Sequence, residues 1–100
     1  MLRELKSLLN IVEDSQTKGV FGLLEALDYM KMIAFYESMD PKTTKKEDLV
    51  KQFKLLYKAL DQTQRHGGLK FTDVSFILNS LGVVEKFIHD FKEEEVVESK

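Results

Sequence analysis

The sequence predicts an all-α domain of four to five helices, packed either as two helix-loop-helix hairpins or as a helical bundle. Apolar residues recur at spacings of three and four along most of the chain, which is the period of an amphipathic helix. The 100 residues include a single proline and only five glycines, so few positions interrupt a helix. Hydrophobic residues make up 43% of the chain, which is enough for one buried core in a domain of this length.

The first helix is predicted over residues 2–12. Its apolar residues follow the i, i+3, i+4, i+7 spacing of a single buried face: Leu5, Leu8, Leu9 and Val12. The polar run at 13–19 is expected to end this helix, because Gly19 can adopt a positive φ and the polar side chains before it can cap the next helix.

Residues 20–39 are the most hydrophobic stretch and are predicted to form the central helix. Apolar side chains cover most of its circumference, so neighbouring helices should pack against it on several sides. Four charged residues within the stretch make insertion into a bilayer costly, and no membrane span is expected. The helix should stop near Asp40, because the residue before a proline is disfavoured in the helical conformation.

The third helix is predicted from Thr44 to about residue 60. Thr44 and Glu47 have the spacing of a capping box, in which each side chain accepts a hydrogen bond from the backbone N–H of the other residue. The expected buried face consists of Phe53, Leu56, Tyr57 and Leu60. The opposite face carries Lys51, Lys54 and Lys58.

Two short helices are predicted in the last third of the chain, after a very short strand or an extended turn at 69–71. Thr72 or Asp73 can cap the fourth helix, and Gly82 marks its end or a kink. Its inward residues should be Val74, Ile77, Leu78 and Leu81. A fifth helix follows over residues 83–91. We expect a single helical domain at 1–92 and an acidic tail at 93–100 that frays.

An internal repeat relates the two halves of the chain. Leu5 corresponds to Phe53 and Gly19 to Gly67, so the halves are related by a shift of 48 positions. Each glycine is followed two residues later by a hydrophobic residue and six residues later by an acidic one. These residues are Gly19, Phe21 and Glu25 in the first half, and Gly67, Leu69 and Asp73 in the second.

This spacing resembles a degenerate EF-hand pair. An EF-hand loop has a glycine at its sixth position and an acidic calcium ligand at its twelfth. The resemblance implies two helix-loop-helix units and a metal site in the first loop, with Asp14, Gln16 and Glu25 as candidate ligands. Each loop is one residue too long before its glycine, and most calcium ligands are missing. A plain helical bundle with a chance repeat remains the alternative.

Methionine and aromatic side chains on the central helix provide the candidate binding surface. Methionine-rich faces can repack around partner helices. Three short neighbouring helices can leave part of so apolar a helix uncovered. We therefore expect a groove for a partner helix or for a second copy of the chain. Its candidate residues are Met32, Phe35, Tyr36 and Met39, with Phe87 and Phe91.

No motif predicts an enzyme or a cofactor. The chain has no cysteine, which excludes disulfides and thiol catalysis and is compatible with a cytoplasmic location. It also lacks a phosphate-binding glycine loop and a nucleophile elbow, and its two histidines are too few for a zinc site. The expected function is therefore a non-catalytic protein-interaction or adaptor module.

Two alternatives to this function stay open. The first is a calcium-responsive sensor that uses the first loop. The second is a nucleic-acid-binding protein that uses the lysine face of the third helix. The formal net charge of −2 does not favour nucleic acid as a partner.

Overall fold

The computed structural model describes residues 2–40, 42–67 and 69–91, and these residues form four α-helices. The helices are α1 (Arg3–Thr17), α2 (Leu23–Glu37), α3 (Lys46–Arg65) and α4 (Phe71–Asp90). The described residues contain no strand, so the all-α class is confirmed. Of the two alternatives at 69–71, the strand does not form, and Lys70 there has extended backbone angles, with φ −86° and ψ 164°. The predicted tail at 93–100 lies outside the described residues.

The polar run after the first apolar face is helical, contrary to the prediction of a loop. In α1, Thr17 Oγ1 donates a hydrogen bond to the Glu13 carbonyl at 3.1 Å, and the Lys18 and Asp14 side chains form an ion pair at 2.9 Å. Polar residues without glycine or proline can continue a helix along its solvent side. Gly19, with φ 77°, ends this segment.

The capping box predicted at Thr44 does not form. Helix α3 begins at Lys46, and its N-cap residue Lys45 makes no side-chain capping bond. The Thr44 N–H instead donates to the Asp40 carbonyl at 2.9 Å. Because that N–H is already used in the preceding turn, Glu47 has no reciprocal bond to make and the helix starts later.

Helix α4 runs without a break through Gly82, so the predicted fourth and fifth helices are one. The buried stripe continues on both sides of the glycine, with Leu81 before it and Val84 and Ile88 after it. A glycine inside a helix costs only about 1 kcal/mol relative to alanine, less than the burial of that stripe contributes.

The buried core draws equally on the four helices. Helix α1 contributes Leu5, Leu8, Leu9 and Val12, which confirms its predicted face. The other members are Tyr29, Met32, Ile33 and Tyr36 of α2, Leu49, Leu56, Ala59 and Leu60 of α3, and Ile77, Leu81, Val84 and Ile88 of α4. Two residues predicted to be buried, Tyr57 and Leu78, are instead exposed.

Helices α1 and α3, and not α2, occupy the centre of the bundle. Each of these two helices contacts all three others, whereas the described parts of α2 and α4 do not contact each other. The prediction that the apolar stretch at 20–39 forms the central helix is therefore wrong. An apolar circumference shows that a helix has much surface to bury, but it does not show that the same chain covers all of it.

The internal repeat is present in the backbone. Helices α1 and α3 end 48 positions apart, at Thr17 and Arg65, and α2 and α4 begin 48 positions apart, at Leu23 and Phe71. Gly19 and Gly67 have φ values of 77° and 75°. The helix contacts also repeat: α1 packs on α4, and its equivalent α3 packs on α2, the equivalent of α4. An approximate two-fold axis therefore passes between α1 and α3.

Candidate protein-interaction surface

A row of exposed apolar side chains runs along the side of α2 that faces solvent. The exposed fractions are 88% for Leu23, 48% for Leu27 and 52% for Met30. Ala34, also exposed, extends the row by one turn. Spacings of four, three and four keep these residues within one narrow face of an α-helix. We call Leu23, Leu27, Met30 and Ala34 the outer stripe; Leu24 lies beside it and is 77% exposed.

The opposite side of α2 is packed into the core. Tyr29, Met32, Ile33 and Tyr36 are all buried there. Two hydroxyls anchor this side to α3: Tyr29 donates to Gln62 Oε1 at 2.7 Å, and Tyr36 donates to the Leu49 carbonyl at 3.1 Å. Burial raises the pKa of Tyr29 to about 12, so its hydroxyl stays protonated and can donate. These contacts direct the outer stripe away from the domain.

A polar link at the start of α2 also sets its orientation. The Glu25 carboxylate accepts hydrogen bonds from Gln62 Nε2 at 2.7 Å and from the Gly22 N–H at 3.3 Å. The Gln62 bond, followed by the Gly22 bond, lowers the pKa of Glu25. Gln62 therefore holds both Glu25 and Tyr29, which lie one turn apart on α2.

The pseudo-equivalent face of α4 has different chemistry. A shift of 48 positions relates the four residues of the outer stripe to Phe71, Ser75, Leu78 and Gly82 of α4. Ser75, Leu78 and Gly82 are exposed, as is Thr72, the equivalent of Leu24. The fold therefore tolerates a polar residue at the position of Leu27 and a glycine at that of Ala34. The apolar character of the outer stripe is a property of α2 and is not required by the architecture.

A cleft of about 610 Å³ adjoins the outer stripe between α1 and α2. Met30, Ile33 and Ala34 line its apolar side, and Glu13 and Glu37 line its polar side. The equivalent cleft between α3 and α4 has a volume of about 140 Å³, with the exposed Tyr57 and Leu78 in its lining. Met30 and Ala34 belong to both the cleft and the outer stripe, so the two form one continuous surface.

None of the residues predicted to bind a partner belongs to the outer stripe. Met32 and Tyr36 are 0% and 2% exposed, so they do not reach the surface. The other four are partly buried against the core: Phe35, Met39, Phe87 and Phe91. Phe35 lies in α2 and Phe87 in α4, two helices that do not contact each other where they are described, and Met39 and Phe91 follow the ends of these helices. The structure thus does not bring the six together as one open groove.

The predicted ligands in the first loop have other partners. Asp14 is paired with Lys18, and Glu25 is bound to Gln62 and Gly22. Gln16 is a residue of helix α1 and does not lie in a loop. Among the residues that the structure describes, no three histidine, aspartate or glutamate side chains converge to hold a metal ion. Calcium binding by Asp14, Gln16 and Glu25 stays a prediction.

Comparison with known proteins gives no further guide. The chain matches no protein-family model, no curated protein and no solved structure. Within the described ranges, none of the helices is both long and apolar enough to cross a membrane.

Proposed function

We propose that this protein is a non-catalytic interaction module that binds an amphipathic helix on the outer stripe of α2. One observation carries the proposal. Leu23, Leu27 and Met30 are exposed in a continuous row, whereas the fold places a polar residue, Ser75, at the exposed position of α4 that is equivalent to Leu27. A large apolar side chain in water has no stabilising role in the free domain, but it favours association.

The spacing of the stripe suits a helical partner. Alternating steps of four and three residues produce the seam along which two helices pack side by side. The stripe is three turns long, which matches a short docking helix. Full burial of each leucine or methionine contributes about 1.5–3 kcal/mol. Association itself costs roughly 4–15 kcal/mol, so moderate affinity is expected for one short helix.

The charges around the stripe favour a protein over a lipid surface. Helices that lie in a membrane interface carry lysine and arginine on their polar face. Besides Glu25, which is bound to Gln62 of α3, the charged residues of α2 are two carboxylates, Asp28 and Glu37, and one cation, Lys31. This face lacks the excess of lysine and arginine that attracts anionic lipid headgroups.

A selection of helical peptides tests this function. A displayed library of amphipathic helices is panned against the full chain, and each recovered peptide is titrated against two variants. Met30→Glu is expected to weaken binding at least tenfold, because it places a charge in the seam. Leu78→Glu alters the pseudo-equivalent exposed residue on α4 and should leave the affinity unchanged.

Two results contradict the proposal. One is a selection that yields no binding helix. The other is an equal loss of affinity in Met30→Glu and Leu78→Glu, which would show that the stripe is not the binding site. Circular dichroism of both variants checks that the helices are intact.

A further inference from the structure

We infer that the helix bound by the outer stripe is α2 of a second copy of this chain, packed antiparallel to the first. This inference rests on the proposed function and names its partner. It follows from the sizes and charges of the residues along the stripe and from the position of α2 at the edge of the bundle.

The side-chain sizes along the outer stripe fit those of a second copy of α2 that runs antiparallel to the first. The centre of the row falls between Leu27 and Met30. An antiparallel copy therefore sets Leu27 against Met30 of the second copy, and Leu23 against Ala34 of the second copy. The two central contacts, between Leu27 and Met30, pair side chains of similar volume. The two outer contacts, between Leu23 and Ala34, pair a large side chain with a small one. A parallel copy would set Ala34 against Ala34 and leave a void there, which close-packed interfaces avoid.

Charge also matches in the antiparallel arrangement. The 100° advance per residue places Asp28 and Lys31 on the same flank of the stripe. A two-fold axis through the centre brings this flank against its own copy, so Lys31 approaches Asp28 of the second copy, and the reverse pair forms as well. The stripe itself contains no charged residue, and a net charge of −2 per chain gives little repulsion between copies.

The architecture allows this pairing and limits it to two chains. Helix α2 is an outer helix, and its stripe lies opposite the residues that enter the core, so a second helix can approach without displacing part of the domain. The equivalent face of α4 carries Leu78 but has Ser75 and Gly82 at the positions of Leu27 and Ala34, so it does not repeat the four-residue apolar row. An interface made of the same patch on both partners closes as a dimer.

Interface size predicts a weak dimer. Stable complexes bury about 800 Å² on each partner. A single pair of three-turn helical faces supplies less than this area. The dimer should therefore dissociate on dilution and reform on concentration.

Sedimentation velocity of the full chain over a wide concentration range tests the inference. The unchanged protein should shift from monomer to dimer as concentration rises. Leu27→Glu should remain monomeric at the highest concentration. Ser75→Glu places the same charge at the pseudo-equivalent exposed position of α4 and should dimerise as the unchanged protein does. A chain that stays monomeric throughout, or equal loss of dimer in both variants, would overturn the inference.

Cysteine cross-linking tests the antiparallel direction, because the chain contains no cysteine of its own. Leu23→Cys and Ala34→Cys are prepared separately, mixed at high concentration and oxidised. The antiparallel pair should give a cross-link between the two variants and none within either variant alone. Cross-linking of Leu23→Cys with itself would show a parallel pair and overturn the proposed geometry.

Failure of this inference is distinguishable from failure of the proposed function. A monomeric chain whose selected peptides still depend on Met30 refutes the second copy and retains the helix-binding face. Binding to phosphatidylcholine vesicles that is abolished by Leu27→Glu would refute both, since it would assign the stripe to a lipid surface.

Discussion

Thr63 Oγ1 and Ser15 Oγ lie 2.9 Å apart and share a hydrogen bond, although 48 positions separate them in the chain. Both residues are buried. They occupy equivalent positions of the internal repeat, so each meets its counterpart at the contact between α1 and α3. Equivalent residues can touch only near a symmetry axis. The pair therefore marks the approximate two-fold axis of the domain.

The first prediction concerns this pair. Ser15→Ala removes one buried hydroxyl, and Thr63 keeps a second acceptor, the Ala59 carbonyl at 3.0 Å. We expect a loss of about 1 kcal/mol in the free energy of unfolding, measured by urea denaturation. Thr63→Val should cost somewhat more, because it leaves the buried Ser15 hydroxyl without this partner. The double variant should cost less than the sum of the two, since both remove the same bond. Strict additivity would mean that the hydroxyls do not interact.

A second prediction compares two glycines. Gly19 has φ 77° and open space around its missing Cβ, so Gly19→Ala introduces backbone strain alone. We expect a destabilisation of about 1–2 kcal/mol, the cost of a left-handed conformation for an alanine. Gly82 lies inside α4 with equally open space, so Gly82→Ala should stabilise the protein by about 0.5–1 kcal/mol. Urea denaturation of both variants should give opposite signs, and equal signs would contradict the assigned backbone.

The orientation of α2 gives a third prediction. Met32 is 0% exposed and Met30 is 52% exposed, although only one residue separates them. Met32→Ala should reduce the free energy of unfolding by about 2–5 kcal/mol, because it leaves a cavity in the core. Met30→Ala should change it by no more than about 0.5 kcal/mol. Thermal unfolding at a dilution where the chain is monomeric makes the comparison, and similar losses would contradict the orientation.

A fourth prediction concerns pH. The hydrogen bond from Gln62, followed by that from Gly22, lowers the pKa of Glu25 from its ordinary value of 4.5. A carboxyl whose pKa is lower in the folded state adds stability above its unfolded pKa, and this contribution is lost as pH falls through the folded pKa. We therefore expect the melting temperature to drop as the pH is lowered below about 4.5.

The Gln62→Leu variant is the control for this pH dependence. It keeps Glu25 but removes the donor that contributes most to lowering its pKa. Its melting temperature should decline less between neutral and acidic pH than that of the unchanged chain. An identical decline would assign the acid sensitivity to other carboxyl groups.

Much of the fold could be predicted from local patterns. The apolar face of α1, the glycine turns and the 48-position repeat all depend on residues close together in sequence, and the structure contains them. Features that depend on the solvent side of a helix or on distant contacts could not be predicted in this way. The full length of α1 gives no periodic apolar signal, because its last turns are polar. The continuation of α4 through Gly82 depends on packing against other helices, which local sequence does not show.

The candidate surface also depends partly on local patterns and partly on contacts between distant residues. The row formed by Leu23, Leu27 and Met30 is readable in the sequence as alternating steps of four and three. The core residues Tyr29, Met32 and Tyr36 give an equally regular row on the other side. Since α2 has an apolar row on each of two sides, its hydrophobic pattern does not indicate which side is buried. Periodicity alone therefore gives no reason to predict Met32 and Tyr36, and not the residues of the other row, as contacts for a partner.

The sequence alone determined the all-α class, the repeat of its two halves, and the presence of one helix that is apolar around most of its circumference. Only the tertiary structure decided which part of that surface remains exposed. The physical reason lies in partners distant in sequence: Gln62 and the Leu49 carbonyl accept the Tyr29 and Tyr36 hydroxyls and thereby set the rotation of α2. Helical periodicity then places Leu27 and Met30 on the side away from the core.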